Sequence, residues 1–177
     1  MTIKHSLGQQ VDPGTLRMER TLPAPIERVW AYLTDPEKRA AWLAGGTMAQ
    51  KPGEMFDLRF NHTELTGEVA PDRYADCRQP IVQKSRLVRM EAPTLLTISW
   101  DEGPAPSEVT FELTPQGNTT QLVLTHRRLA SRKDMVSVAG GWHAHVDVLI
   151  EVLAGRKPEG FWTNHAALEK EYEAQIR

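Results

Sequence analysis

The sequence predicts an α+β domain, an antiparallel sheet covered on one face by a long C-terminal helix. Three observations predict it. Short segments with period-two apolar alternation follow one another between Leu16 and His126. The links between several of them are hairpin-length and rich in turn residues, as at Gly103-Pro104 and Gln116-Gly117-Asn118. One long amphipathic segment, about 133–154, is available to cover the face that such a sheet buries.

The elements follow in order. Residues 1–14 have no periodicity and predict a loose lead-in. Leu16, Met18, Arg20 and Leu22 alternate with Arg17, Glu19 and Thr21, a half-buried strand that Pro23 and Pro25 end. Ile26, Val29, Trp30 and Leu33 fall at helical spacing, with Glu27 in the first turn. Asp35 and Pro36 suit the N-cap and first position of a second helix, which Gly45-Gly46 stops. Phe56, Leu58 and Phe60, then Leu65, Gly67 and Val69, predict a hairpin turning at Asn61-His62. Residues 71–80 read as a loop and 82–90 as a less regular strand. Leu96-Ile98-Trp100, Val109-Phe111-Leu113 and Leu122-Leu124-His126 give three more strands.

The long helix carries Trp142, Val146, Leu149 and Leu153 on one stripe, with His143, Asp147 and Glu151 opposite. Gly155 caps it and Pro158 blocks its continuation. A last helix, about 161–175, keeps Phe161, Trp162, His165, Leu168 and Tyr172 on one side. The reading is one domain over 15–155 and a helical extension over 156–177.

Composition narrows the function classes. The chain has 177 residues, 40% of them hydrophobic and 25% charged, enough for one substantial core. A net charge of -2 gives no reason to expect nucleic acid or an anionic membrane as partner. No apolar run approaches a membrane span, and the N-terminus lacks an apolar signal core. The single cysteine, Cys77, fits a reducing cytoplasm.

Two segments carry a family resemblance. Pro25 through Pro36, with Trp42 downstream, is similar to an opening of the form AP-x-x-x-V-W-x-x-L-T-D-P…W. Gly141-Trp142 through Leu149 is similar to a G-W-x-x-x-L-x-x-L helix, with Val146 where leucine is common. Together they resemble the START-like, or SRPBCC, helix-grip superfamily, whose fold is that of the birch pollen allergen. The branch is that of the C-terminal domain of the activator of heat shock protein 90 ATPase. Over residues 15–155 the resemblance implies a sheet of six to seven strands wrapped on the long helix, with a cavity between them. It implies no catalytic residue. The branch name suggests stress response. A chaperone-activating role accompanies a further N-terminal domain, and the residues before Leu16 leave no room for one.

The candidate ligand-binding residues are Arg20, Trp30, Phe56, Trp100, Phe111, His126, Trp142, His145 and Leu149. The aromatic ones, with Trp42, suit either a small-molecule wall or a plain core. His145 lies about 60° from the centre of the helix stripe, facing the cavity or bonding a strand backbone. Arg20 and His126 continue the apolar faces of the first and last strands, which the resembled fold makes neighbours. Together they would give the cavity a polar end, unless Arg20 pairs with Glu19 or Asp147 or reaches water.

No metal is expected, since His143 and Asp147 offer only two ligands on a face that reads as exposed. No cofactor or catalytic residue is expected either. There is no Gly-x-Ser-x-Gly elbow and no phosphate loop, and Cys77 beside Arg73 and Arg78 stands alone. The leading expectation is a binder of a small apolar or amphipathic molecule. One alternative is an enzyme of the cyclase or aromatic-processing type, with His145 as acid-base. Another is a chaperone-associated or other interaction protein, with the last helix as the face of a homodimer.

Overall fold

A computed structural model describes residues 3–177. Seven strands form one antiparallel sheet: β1 (Gln9–Asp12), β2 (Thr15–Leu22), β3 (Met55–Phe60), β4 (Ile81–Glu91), β5 (Leu95–Ser99), β6 (Glu108–Gln116) and β7 (Thr119–Arg127). Their order is β1-β2-β7-β6-β5-β4-β3. Period-two alternation turns Leu16, Met18, Arg20 and Leu22 inward on β2, and Leu122, Leu124 and His126 inward on β7. The helices are α1 (Ile26–Thr34), α2 (Pro36–Ala40), α3 (His62–Thr66), α4 (Arg132–Leu153) and α5 (Phe161–Gln175). This is the α+β helix-grip arrangement.

Local chemistry sets the helix ends. The Asp35 carboxylate accepts from the Glu37 and Lys38 amides at 3.0 Å, and Pro36 follows it in the first turn of α2. Arg39, only 2% exposed, donates to the carbonyls of Leu33, Ala44, Gly45 and Gly46. It thereby fixes the turn that leads to β3. Ser131 caps α4 through the Asp134 amide at 3.1 Å.

Three sequence expectations change. Residues 9–12 pair with β2 and supply the edge strand β1, so part of the lead-in is sheet. No hairpin forms at Asn61-His62. The chain turns into α3, which buries Leu65 and ends at Gly67, whose φ of 78° provides the left-handed cap. Val69 is then 66% exposed, so its alternation with Leu65 does not reflect a strand. Within 71–80 a 3-10 stretch, Asp72–Arg78, carries Arg73 and Tyr74 to α5.

α4 is buried on two sides, against the sheet and under α5. His143 and Asp147 are therefore not on an exposed face; His143 is fully buried. The glycine pair divides between these surroundings. A Cβ on Gly140 would lie 3.7 Å from the Glu169 Cα, in ordinary contact with α5, so this glycine faces that helix. A Cβ on Gly141 would meet nothing within 4 Å.

α5 buries Phe161, Trp162, Leu168 and Tyr172 within the chain. Its N-terminal turn lacks a local side-chain cap. Glu68 supplies one from a distance, accepting from the Trp162 and Thr163 amides at 2.6 and 3.0 Å. At the other end the Tyr172 hydroxyl accepts from the Gly8 amide at 2.7 Å and lies 2.9 Å from His143 Nδ1. Tyr172→Phe keeps the ring but strands these buried partners. Urea denaturation is expected to show a loss of about 1–3 kcal/mol, and an unchanged midpoint would contradict this docking.

Candidate functional site

Between α4 and the β3–β5 end of the sheet lies a cavity of about 220 Å³. Its apolar wall is Leu43, Phe60, Ile81, Trp100, Val138 and Trp142; its polar atoms come from His62, Gln83, Ser137 and His145, and Gly141 leaves the helix side open. The Trp100 and Trp142 rings are 4.7 Å apart, and Phe60 meets Trp100 edge-on at 6.1 Å. His62 stacks on Phe60 at 5.5 Å. No side chain carrying a fixed charge lines the cavity.

The polar groups have defined hydrogen-bond polarity. His145 Nδ1 lies 2.7 Å from the Trp42 carbonyl. A carbonyl only accepts, so the ring proton is on Nδ1 and Nε2 holds a lone pair. Gln83 donates its amide to the Trp100 carbonyl and keeps an acceptor oxygen.

Behind Trp142 runs a one-way chain. The Trp142 indole N–H donates to His126 Nδ1 at 3.0 Å, which places the His126 proton on Nε2. That proton goes to the Ser107 hydroxyl at 3.0 Å, and Ser107 donates to Asp101 at 3.3 Å. Serine, histidine and aspartate are thus adjacent, but the histidine donates to the serine. It does not take the serine's proton, so Ser107 is not activated as a nucleophile.

The expected residues divide accordingly. Trp100, Trp142 and His145 line the cavity. His126 and Phe111 stand behind Trp142, with Phe111 edge-on to it at 5.5 Å. Leu149 is fully buried in the core, Trp30 is half-buried on α1, and Phe56 lies under the Arg39 guanidinium at 6.0 Å. None of these three lines the cavity.

Arg20 and His126 do not meet. They share the β2–β7 ladder, but Arg20 is opposite Leu122 and His126 opposite Leu16. Four residues of strand separate them by about 13 Å. Arg20, 5% exposed, instead donates to the Glu19 carbonyl at 2.6 Å and lies 3.3 Å from His143 Nε2.

Leu43, Phe60, His62, Ile81, Gln83 and Ser137 also line the cavity, and the sequence pattern does not mark them as cavity residues. His62 was hidden by its reading as a turn residue. Phe60 carried the available signal, an inward aromatic at the end of its strand.

Elsewhere, among the described residues, one set of metal-ligand side chains converges: His5, His143 and Asp147. His143 and Asp147 are the pair that helical spacing offers, and the N-terminal segment brings His5 to them. His5 Nδ1 is 2.8 Å from Asp147, and Asn164 donates to the same carboxylate at 2.9 Å. The Arg20 guanidinium points at the remaining His143 lone pair, which opposes a cation there.

Comparison with known proteins shows the family of the chain. The Activator of Hsp90 ATPase homolog 1-like protein family matches residues 23–154, and the chain belongs to it. A Bordetella parapertussis protein solved by NMR is 50% identical, with a TM-score of 0.84 over 99% of this chain and 93% of its own. CalU16 of Micromonospora echinospora is 25% identical, with a TM-score of 0.67 over 92% of this chain and 88% of its own. DynU16, from the dynemicin biosynthetic locus, is 17% identical and shares the fold, with a TM-score of 0.65 over 85% of this chain and 51% of its own. No curated protein matches the chain. Among the described residues no helix is long and apolar enough to cross a membrane.

The buried histidines make stability depend on pH. Burial holds His62, His126 and His143 down to about 4, and His145 to about 3, against an ordinary value near 6.5. From about 6.5 down to about 4 the unfolded chain therefore takes up protons that the folded chain excludes. Stability is fully present above that window and is lost as pH falls through it, by up to ~1.4 kcal/mol per pH unit for each such histidine. Urea midpoints between pH 7.5 and 4.5 are expected to fall steeply below 6.5, with more than one proton bound on unfolding. A flat profile from 7 to 5 would contradict the neutral rings.

Proposed function

We propose that this member of the Activator of Hsp90 ATPase homolog 1-like family binds a small, neutral, largely apolar ring compound between α4 and the sheet. The observation that carries the proposal is the cavity wall itself. Trp100, Trp142 and Phe60 surround a space that holds polar atoms but no charged side chain. Such a wall rewards a flat apolar body and penalises an ionic one. Its volume, about 220 Å³, is below the ~300–1,000 Å³ of sites for drug-sized ligands, which favours a small ring over a long-chain lipid.

An acid-base role for His145 has less support. Burial leaves its ring at about 3, far from the near-neutral value that suits proton transfer. An interaction role through α5 also has less support, because the apolar side chains of that helix pack inside the chain.

Gly141 provides the test. It opens on the cavity with free space at its Cβ position, in a helix where leucine is the better former. Gly141→Leu is expected to fill the cavity and to raise stability by about 0.5–1 kcal/mol. Toluene, indole and naphthol are the probes, read by thermal shift and isothermal titration. Wild type is expected to be stabilised by ~2.7 kcal/mol at a hundredfold excess over Kd, and Gly141→Leu not at all. Binding that survives Gly141→Leu, or a wild type that binds none of the probes at millimolar concentration, overturns the proposal.

A further inference from the structure

Two histidines share the cavity, and their free edges have opposite hydrogen-bond character. The rings of His62 and His145 are 5.6 Å apart. His145 Nε2 is an acceptor, because Nδ1 is committed to the Trp42 carbonyl.

For His62 two orphaned atoms decide the tautomer. His62 Nδ1 and the Trp162 indole nitrogen are both buried and have no partner in the chain. Their rings are neighbours at 5.5 Å. The indole nitrogen can only donate. A proton on His62 Nδ1 would bury two unmatched donors side by side. A lone pair there is complementary to the indole N–H, directly or through a water. The His62 proton therefore belongs on Nε2, on the edge of the ring away from that buried nitrogen. Burial keeps both imidazoles neutral near pH 7, so each ring has one donor and one acceptor.

We infer that this pair makes the cavity select a neutral ring whose edge presents a hydrogen-bond acceptor beside a donor, as a lactam does. His62 Nε2–H donates to the ligand's acceptor, and His145 Nε2 accepts from the ligand's donor. The inference rests on the cavity being a ligand site and adds which ligand chemistry it reads. A ligand offering only apolar edges would fill the volume but leave both imidazole edges unmatched.

The test uses two isomers of one formula on the full chain at neutral pH. 2-Pyridone carries its donor and acceptor on adjacent atoms, and 4-pyridone carries them at opposite ends. Toluene reports on the cavity alone. Titration is expected to show wild type binding 2-pyridone roughly tenfold more tightly than 4-pyridone, the scale of one well-matched buried hydrogen bond. His62→Phe, which keeps a ring to stack on Phe60, is expected to lose the preference for 2-pyridone over 4-pyridone. Long-range proton–nitrogen NMR of the free protein is expected to find His62 protonated at Nε2 and His145 at Nδ1. Equal affinity for the isomers with toluene still bound, or a proton on His62 Nδ1, overturns the inference and leaves the cavity reading standing. Failure of toluene and both pyridones to bind overturns the two together.

Discussion

α4 has to be buried on two sides at once, and much of the architecture answers that requirement. A helix covering a sheet normally leaves one face to water. Here α5 and the N-terminal segment close over the other face, so His143 is buried and Asp147 is nearly so. The same helix meets α5 on one side and leaves space toward the β3–β5 end of the sheet on the other. Adjacent glycines, about 100° apart around the helix, face these two surroundings. Gly140 faces the Glu169 backbone, and Gly141 faces the cavity. Two glycines in mid-helix cost about 1 kcal/mol each relative to alanine. The two-sided packing of α4 has to offset that loss.

Burying polar side chains this densely leaves little freedom in their protonation. Obligate donors and acceptors fix the histidines one by one. Trp142 sets His126, the Trp42 carbonyl sets His145, and Arg20 sets His143. Arg39 resolves a similar problem without a carboxylate, by donating to four backbone carbonyls around a turn. Its charge is desolvated, and burial lowers its pKa to about 10, yet it remains protonated and satisfied. Among the described residues the pattern is incomplete at Arg20 Nε, at His62 Nδ1 and at the Trp162 indole nitrogen, and of these His62 belongs to the cavity lining.

Period-two and period-3.6 signals made most of the fold legible. Six of the strands, both short helices after β2, α4 and α5 lie where alternation and caps place them, because those signals record which face is buried. The failures have physical causes. β1 is an edge strand whose residues are mostly exposed, so it carries no alternation to read. Leu65, Gly67 and Val69 imitate a strand because α3 is too short to establish a helical period. The cavity was less legible than the fold. Trp100, Trp142 and His145 carried a signal as aromatic or polar residues on inward faces. Gln83 and Ser137 carried none, since ordinary polar residues become cavity-lining only through tertiary placement. The pairing of Arg20 with His126 failed on register, which separates them along one ladder and which no single strand encodes.

A cavity walled by histidines invites an acid-base reading, and the surroundings of these histidines argue for recognition instead. General catalysis needs a ring poised near neutrality and a partner that stabilises its charged form. His145 has a backbone carbonyl for a partner and a second imidazole for a neighbour, and neither offsets the burial that favours its neutral state. His126 points its proton at Ser107, and Asp101 sits beyond the serine, so the order of groups is wrong for nucleophile activation. What fixed neutral imidazoles provide well is direction: one edge that gives a proton in a hydrogen bond and one that accepts. In a wall free of charged side chains, such edges cost little when a ligand matches them and remain unpaired when it does not. The gripping helix therefore contributes to function chiefly through the polarity of what it holds still. Gly141 keeps the space beside His145 open, and Trp142 forms the wall next to it.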